Sequence, residues 1–169
     1  MGVRNYLVDG VSGSGKTAVC HELRRRGHHA VNGDRELAYQ GNPATGEPTA
    51  GVTGLAVHDH HLWRVADVEA IVSDRSRPIS VLCGGSRNSS AFRHLFDEIF
   101  VLVVDGATLT SRLDARSADE WGGEGREAER ALVHRLHETG EGVPTGATQI
   151  DAGAPLSVVV DDILRRIGP

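Results

Sequence analysis

Gly10-Val11-Ser12-Gly13-Ser14-Gly15-Lys16-Thr17 is the stretch that decides how this chain is read. It satisfies the pattern G-x-x-x-x-G-K-[ST] at every fixed position. Asn5-Tyr6-Leu7-Val8-Asp9 precedes it as a short apolar run that reads as a buried strand. From Lys16 to about Arg26 the pattern is helical, with Val19 and Leu23 four apart and Gly27 as the stop. A strand, a glycine-rich turn and a helix are the context in which this motif cradles phosphate. The glycines let backbone N–H groups turn inward around an anion, and the helix N-terminus adds a favourable dipole. Gly10, Ser12, Gly13, Ser14, Gly15, Lys16 and Thr17 are therefore the candidate nucleotide-binding residues. Lys16 is expected to reach the β- and γ-phosphates of ATP, and the Thr17 hydroxyl to ligate Mg²⁺. An ordinary glycine-rich turn is the competing reading.

Composition supports the functional one. Of the 18 basic residues, 17 are arginine and Lys16 is the single lysine. Compositional drift toward arginine stops where a compact ammonium cannot be exchanged for a wider planar guanidinium. The same count argues against a regulatory GTPase, whose Asn-Lys-x-Asp motif needs a second lysine. The chain has 169 residues, 39% of them hydrophobic and 24% charged, which fits one globular domain. Its net charge of −5 disfavours nucleic acid as the main partner. No apolar run approaches the ~20 residues of a membrane span, and MGVRNYLVDG lacks a signal-peptide core. Cys20 and Cys83 form no disulfide framework. A cytoplasmic protein is expected; the oligomeric state cannot be read.

Outward from the motif, strands are expected at residues 29–32, 79–83, 99–104 and 148–151, the fourth-strand run Ile99 to Val104 being almost wholly apolar. Helices are expected at 35–39, from His58 to about Asp74, at 91–96, 108–116, 126–138 and 156–167. Gly41 to Gly54, rich in Gly, Pro and Thr, reads as a long loop. Alternating strands and helices imply a parallel sheet covered on both faces.

The chain resembles the small P-loop kinases: adenylate, shikimate and gluconate kinases and their relatives. The resemblance spans most of the chain and implies an α/β three-layer fold with a five-stranded parallel sheet, adenylate-kinase-like, as one domain over residues 1–169. It also implies an acceptor-binding region at about 35–75 and a short lid at about 117–125. In such families a carboxylate after the second strand orients, and can deprotonate, the acceptor hydroxyl. Asp34 stands there, with a helix N-cap as its competing role. Arg35 is a candidate acceptor contact. Leu82-Cys83-Gly84-Gly85-Ser86-Arg87 is similar to the shikimate-kinase segment whose Gly-Gly pair faces the acceptor, which makes Gly84, Gly85 and Arg87 candidates. It departs from the pattern at Cys83, near where a Walker-B aspartate is expected, so Mg²⁺ is left to Thr17, phosphates, water and Asp34 or Asp9.

Arg112-Leu113-Asp114-Ala115-Arg116 is similar to the R-x-x-x-R that opens a nucleotide-kinase lid; spacing of four puts Arg112 and Arg116 on one helix face, as candidates for charge neutralisation. Arg126 and Arg130 repeat the spacing beyond the polar segment, with surface ion pairs as the competing role. Ala152 lies in a segment resembling the loop that packs on adenine. His58-Asp59-His60-His61 invites a metal, but neighbours on a helix diverge, so caps and surface contacts fit better. Trp63 is open to stacking on an acceptor or to a core role, and Trp121 to a lid contact. The function expected is ATP-dependent phosphoryl transfer to a small-molecule acceptor, first a nucleoside or nucleotide. The alternatives are a sugar acid, a shikimate-like polyol or an antibiotic hydroxyl as acceptor, a regulatory or degenerate kinase that binds nucleotide with little catalysis, or a nucleic-acid end kinase.

Overall fold

The computed structural model describes residues 3–117 and 126–168. Five parallel strands form the central sheet: β1 (Arg4–Asp9), β2 (Ala30–Asn32), β5 (Ile79–Cys83), β6 (Glu98–Val103) and β7 (Thr148–Asp151), in the order β2-β5-β1-β6-β7. β1 lies at the centre, paired with β5 and β6. Its run Tyr6-Leu7-Val8 is apolar at every position because both faces are covered. Alternation sorts the faces. Tyr6, Val8, Val81, Cys83, Phe100 and Leu102 point to one core, Leu7, Val31 and Leu82 to the other.

The first core is closed by α1 (Lys16–Arg25), α5 (Gly106–Asp114), α6 (Arg126–Thr139) and α7 (Leu156–Ile167). The second is closed by α4 (Val65–Ser73), Trp63 and two 3₁₀ turns, Ser89–Ala91 and Arg93–Leu95. A short α2 (Gly33–Glu36) follows β2 directly. Loop 41–54 carries no strand or helix beyond the bridge of Gly41 to Pro48. Among the described residues no helix is long and apolar enough to cross a membrane. The proposed lid, about 117–125, lies beyond Ser117 outside the described residues, and Trp121 with it.

Three expected helices are not kept: 91–96 is replaced by the two 3₁₀ turns, and 35–39 and 58–74 are interrupted by strands. The single helix from His58 to Asp74 is broken into α3 (Ala56–Asp59), β4 (His61–Trp63) and α4. β4 pairs antiparallel with β3 (Ala38–Gln40), where the tail of the 35–39 helix was expected. Long-range contacts override the helical periodicity. The Asn88 side chain accepts from Trp63 N–H at 3.0 Å and donates to Trp63 C=O at 2.9 Å, acting as a third strand. Trp63 stacks on Phe92 with centroids 5.6 Å apart and covers Gly33 and Gly84, where a Cβ would fall 2.1 and 2.5 Å from its ring. Trp63 is therefore core, 1% exposed, and not a stacking platform for a ligand.

Candidate active site

The glycine-rich turn is built as its sequence requires. Gly10, Gly13 and Gly15 have φ of +149°, +87° and +110°, which side chains rarely adopt. Gly15 precedes α1 without a side-chain cap, and α1 has no acidic residue in its first turn. Its leading N–H groups are thus left to an anion. Lys16 Nζ is held over the loop by the carbonyls of Gly10 (2.6 Å) and Val11 (3.1 Å). The Ser14 hydroxyl is buried with no protein partner. Ser12, Gly13, Gly15, Lys16, Thr17, His21, Asp34 and Arg116 line a groove of about 430 Å³ along this turn.

Arg112 and Arg116 both turn to the loop. Arg112 donates to the carbonyls of Ser14 (2.9 Å) and Ala152 (2.7 Å), which ties the phosphate turn to the segment after β7. Arg116 donates to Ser12 Oγ at 3.0 Å. The four-residue spacing therefore braces the cradle. Arg130 is paired with Asp114, joining α6 to α5, and Arg126 is exposed; neither lines the groove or the cavity beside it.

That second cavity, about 500 Å³, opens on the other side of Lys16. Asp34 projects into it from α2. Its Oδ1 accepts from Gly85 N–H at 3.0 Å and faces His61 Nε2 at 3.2 Å. Burial pushes the Asp34 carboxyl up, but His61, the charge of Lys16 and the Gly85 N–H together hold it below the ordinary aspartate value. Asp9, at the end of β1, accepts from Gly10 N–H at 2.7 Å; burial pushes its carboxyl up against the opposing pull of Lys16. The glycine pair exists to let these carboxylates close in. A Cβ on Gly84 would meet Asp34 Oδ1 at 2.6 Å, and one on Gly85 would meet Asp9 Oδ1 at 2.7 Å.

Cys83 ends β5 beneath this pair, and its hydrogen bond with Cys20 together with burial pushes the thiol well up. A neutral thiol thus stands at the position of the expected aspartate. Thr17 lines the groove, Asp9 the cavity and Asp34 both, and their hydroxyl and carboxylate oxygens are the hard donors that suit Mg²⁺; among the described residues no group of three or more His, Cys, Asp or Glu side chains could hold a metal ion.

Arg87 lines the cavity, paired with Asp59 (3.1 Å) and Glu141 (3.9 Å). Arg35 is exposed and lines neither space. The His58–His61 run diverges, His58 to Glu129 at 3.3 Å, Asp59 to Arg87 and His61 to Asp34. Sequence reasoning missed His61 as a partner of Asp34, because that contact needs the β3–β4 pairing. It also missed Arg93, which lines the cavity from a 3₁₀ turn that no local pattern marks.

No family model and no curated protein matches the sequence. Solved structures match over nearly the whole chain. A shikimate kinase from Acinetobacter baumannii in complex with shikimate superposes at a TM-score of 0.58 with 15% identity, covering 98% of this chain and 93% of that one. A sugar kinase from Janibacter sp. gives 0.56 and 17%, with 98% and 95% covered. A deoxyadenosine kinase from M. mycoides with bound dATP gives 0.53 and 13%, with 97% and 98% covered. The fold is that of the small P-loop kinases. Within this kinase fold the groove lies on the phosphate turn after the central strand, and the 500 Å³ cavity lies at the ends of β1 and β5. A parallel α/β sheet binds its ligands at such strand ends.

Proposed function

We propose that the protein is an ATP-dependent phosphotransferase that moves the γ-phosphoryl group of ATP onto a hydroxyl of a small-molecule acceptor. One observation carries this reading. Among the described residues only Ser12, Lys16 and Asp34 line both the phosphate groove and the neighbouring cavity, so a cation and a carboxylate stand where the two spaces meet. Phosphoryl transfer needs a cation on the transferred group and an acceptor for the hydroxyl proton on its far side.

The chain's residues divide the work accordingly. Loop N–H groups and Lys16 grip the polyphosphate, and Arg116, reaching Ser12, adds positive charge at its end. Arg112 is a positioning residue, fixing the cradle against the segment at Ala152. Thr17, with Asp9 and Asp34, would hold a Mg²⁺ ion, which would supply charge neutralisation of the polyphosphate. Among the described residues both hydrogen-bonding partners of Asp34 converge on Oδ1, which leaves Oδ2 to accept the hydroxyl proton of the acceptor. A binding-only reading rests on Cys83, and the two carboxylates flanking Gly84 and Gly85 answer it. The lid-spacing argument for a nucleotide acceptor loses its footing, since Arg112 is committed to two carbonyls.

Incubation with γ-labelled Mg·ATP and a panel of nucleosides, sugars and hydroxy acids tests the proposal. Label is expected in one acceptor class; label released only to water across the panel would overturn it. His61 gives a finer check. With its proton on Nε2 it donates to Asp34 and depresses that carboxyl, so His61→Leu lets the Asp34 pKa rise. The acid limb of the kcat profile is then expected to move to higher pH, while Asp34 stays ionised and competent at neutral pH. His61→Gln, which restores an N–H donor, is expected to bring most of the limb back to its wild-type position. An unmoved acid limb in His61→Leu would deny His61 this role.

A further inference from the structure

We propose that Asn88 is a positioning residue for phosphoryl transfer: by pinning the Trp63 backbone it holds β4 in the one register that sets the Trp63 ring against Gly33 and Gly84 and the His61 imidazole against Asp34. The inference rests on the phosphotransferase reading and adds to it a residue that lines neither the groove nor the cavity.

β4 is three residues long and belongs to a two-stranded sheet separate from the central one. So short a hairpin is marginal by itself. Its side chains alternate, so His61 and Trp63 share one face, and a slip of one residue would turn both away from the site. The segment after β5 opposes that slip. Gly85 N–H donates to Asp34 Oδ1 at 3.0 Å, and Arg87 N–H donates to the His61 carbonyl at 3.0 Å. The Asn88 side chain then closes its two bonds on Trp63, at 3.0 and 2.9 Å. The same stretch of main chain that holds Asp34 directly therefore carries the amide that holds β4. An amide suits this duty because it accepts through one atom and donates through the other, as the backbone of a neighbouring strand would.

Trp63 transmits the constraint. Its ring fills the space over Gly33, the residue before Asp34, and over Gly84, the residue before Gly85. Its Nε1 is buried with no hydrogen-bond partner among the described residues, so the ring is placed by packing and by its own backbone. Releasing that backbone frees the wedge between the two segments that set the Asp34 carboxylate. A misplacement of about 1 Å at a reacting group can cost about 10²-fold in rate.

Asn88→Ala tests this beside Asn88→Asp, which keeps an oxygen for Trp63 N–H and loses the donor to Trp63 C=O. In long-range ¹H–¹⁵N spectra the imidazole signals of His61 are assigned by their loss in His61→Leu. They are expected to move to the positions of an exposed imidazole in Asn88→Ala, and part of the way in Asn88→Asp. With γ-labelled Mg·ATP and the panel of nucleosides, sugars and hydroxy acids, kcat is expected to fall about 10²-fold in Asn88→Ala and less in Asn88→Asp, while KM for ATP stays within about threefold of wild type. A clamp that served stability alone would lower the melting temperature and leave the His61 signals and kcat of the folded protein where they were; that result overturns the inference. If Asn88→Ala does not fold, the same two readings on Asn88→Asp decide. A wild-type protein that labels no acceptor would instead strike the phosphotransferase reading itself, and the His61 signals would still report whether Asn88 holds β4 on Asp34.

Discussion

Asp34→Asn is expected to lower kcat by about 10²–10⁴-fold, the range that removal of a general base spans. Asparagine keeps the shape of the side chain and an oxygen for the Gly85 N–H, so the fold around Gly84 and Gly85 persists. What it loses is the oxygen that takes the hydroxyl proton. Affinity for Mg·ATP, measured by calorimetry, is expected to fall much less than kcat, because the proposed grip on the nucleotide is mainly that of the N–H groups of the phosphate turn and Lys16, with Asp34 only one of three residues to hold the metal. The wild-type pH profile follows from the same environment. His61 and Lys16 hold the folded-state pKa of Asp34 below its unfolded value. The carboxylate therefore stays ionised through the neutral range, and its stabilising contribution is present above the unfolded pKa. That contribution is lost as pH falls through the lower folded pKa. Turnover of Asp34→Asn within threefold of wild type would reduce Asp34 to a helix-terminus residue.

What was legible in the sequence divides along local and non-local lines. The phosphate turn could be read because its chemistry and its backbone demands sit in eight consecutive residues, and each glycine with positive φ there has a local reason. β7 and α7 fall where their patterns put them, at Thr148–Asp151 and Leu156–Ile167, since each is a short run with a clear period. Gly84 and Gly85 were legible as a pair, but their reason was not: they are kept small by Asp34 and Asp9, which come from two other strand ends. The β3–β4 hairpin was invisible because helical spacing of Leu62, Val65 and Val68 is also what a strand, a bend and a helix leave behind. What decides between them is Asn88, 25 residues on, and the need to bury Trp63. His61 and Arg93 were missed for the same reason. The roles of Arg112 and Arg116 were half visible, since spacing gives a shared face but not whether phosphate or carbonyl lies opposite it.

Lys16→Ala and Lys16→Arg are both expected to lower kcat by about 10²–10³-fold, the loss seen when one preorganised donor is removed from a developing charge. The arginine variant is the sharper of the two. This chain uses arginine for 17 of its 18 basic residues, so it can bear arginine almost anywhere. At this position the ammonium sits 2.6 and 3.1 Å from the carbonyls of Gly10 and Val11, inside a turn of glycines. A Cβ at Gly10 would already strike Ser14 Oγ at 2.6 Å, and at Gly13 would press on Leu109 at 3.0 Å, so the turn cannot widen for a planar fork. If charge alone mattered, Lys16→Arg would keep its activity; if a compact donor at one point matters, it fails nearly as badly as alanine. Both variants are expected to fold, because Lys16 opens α1 and is not part of either core, and alanine is the best helix former. Melting curves and single-turnover transfer from γ-labelled ATP decide the matter, and an arginine variant within tenfold of wild type would break the link between the solitary lysine and the phosphate it is held to grip.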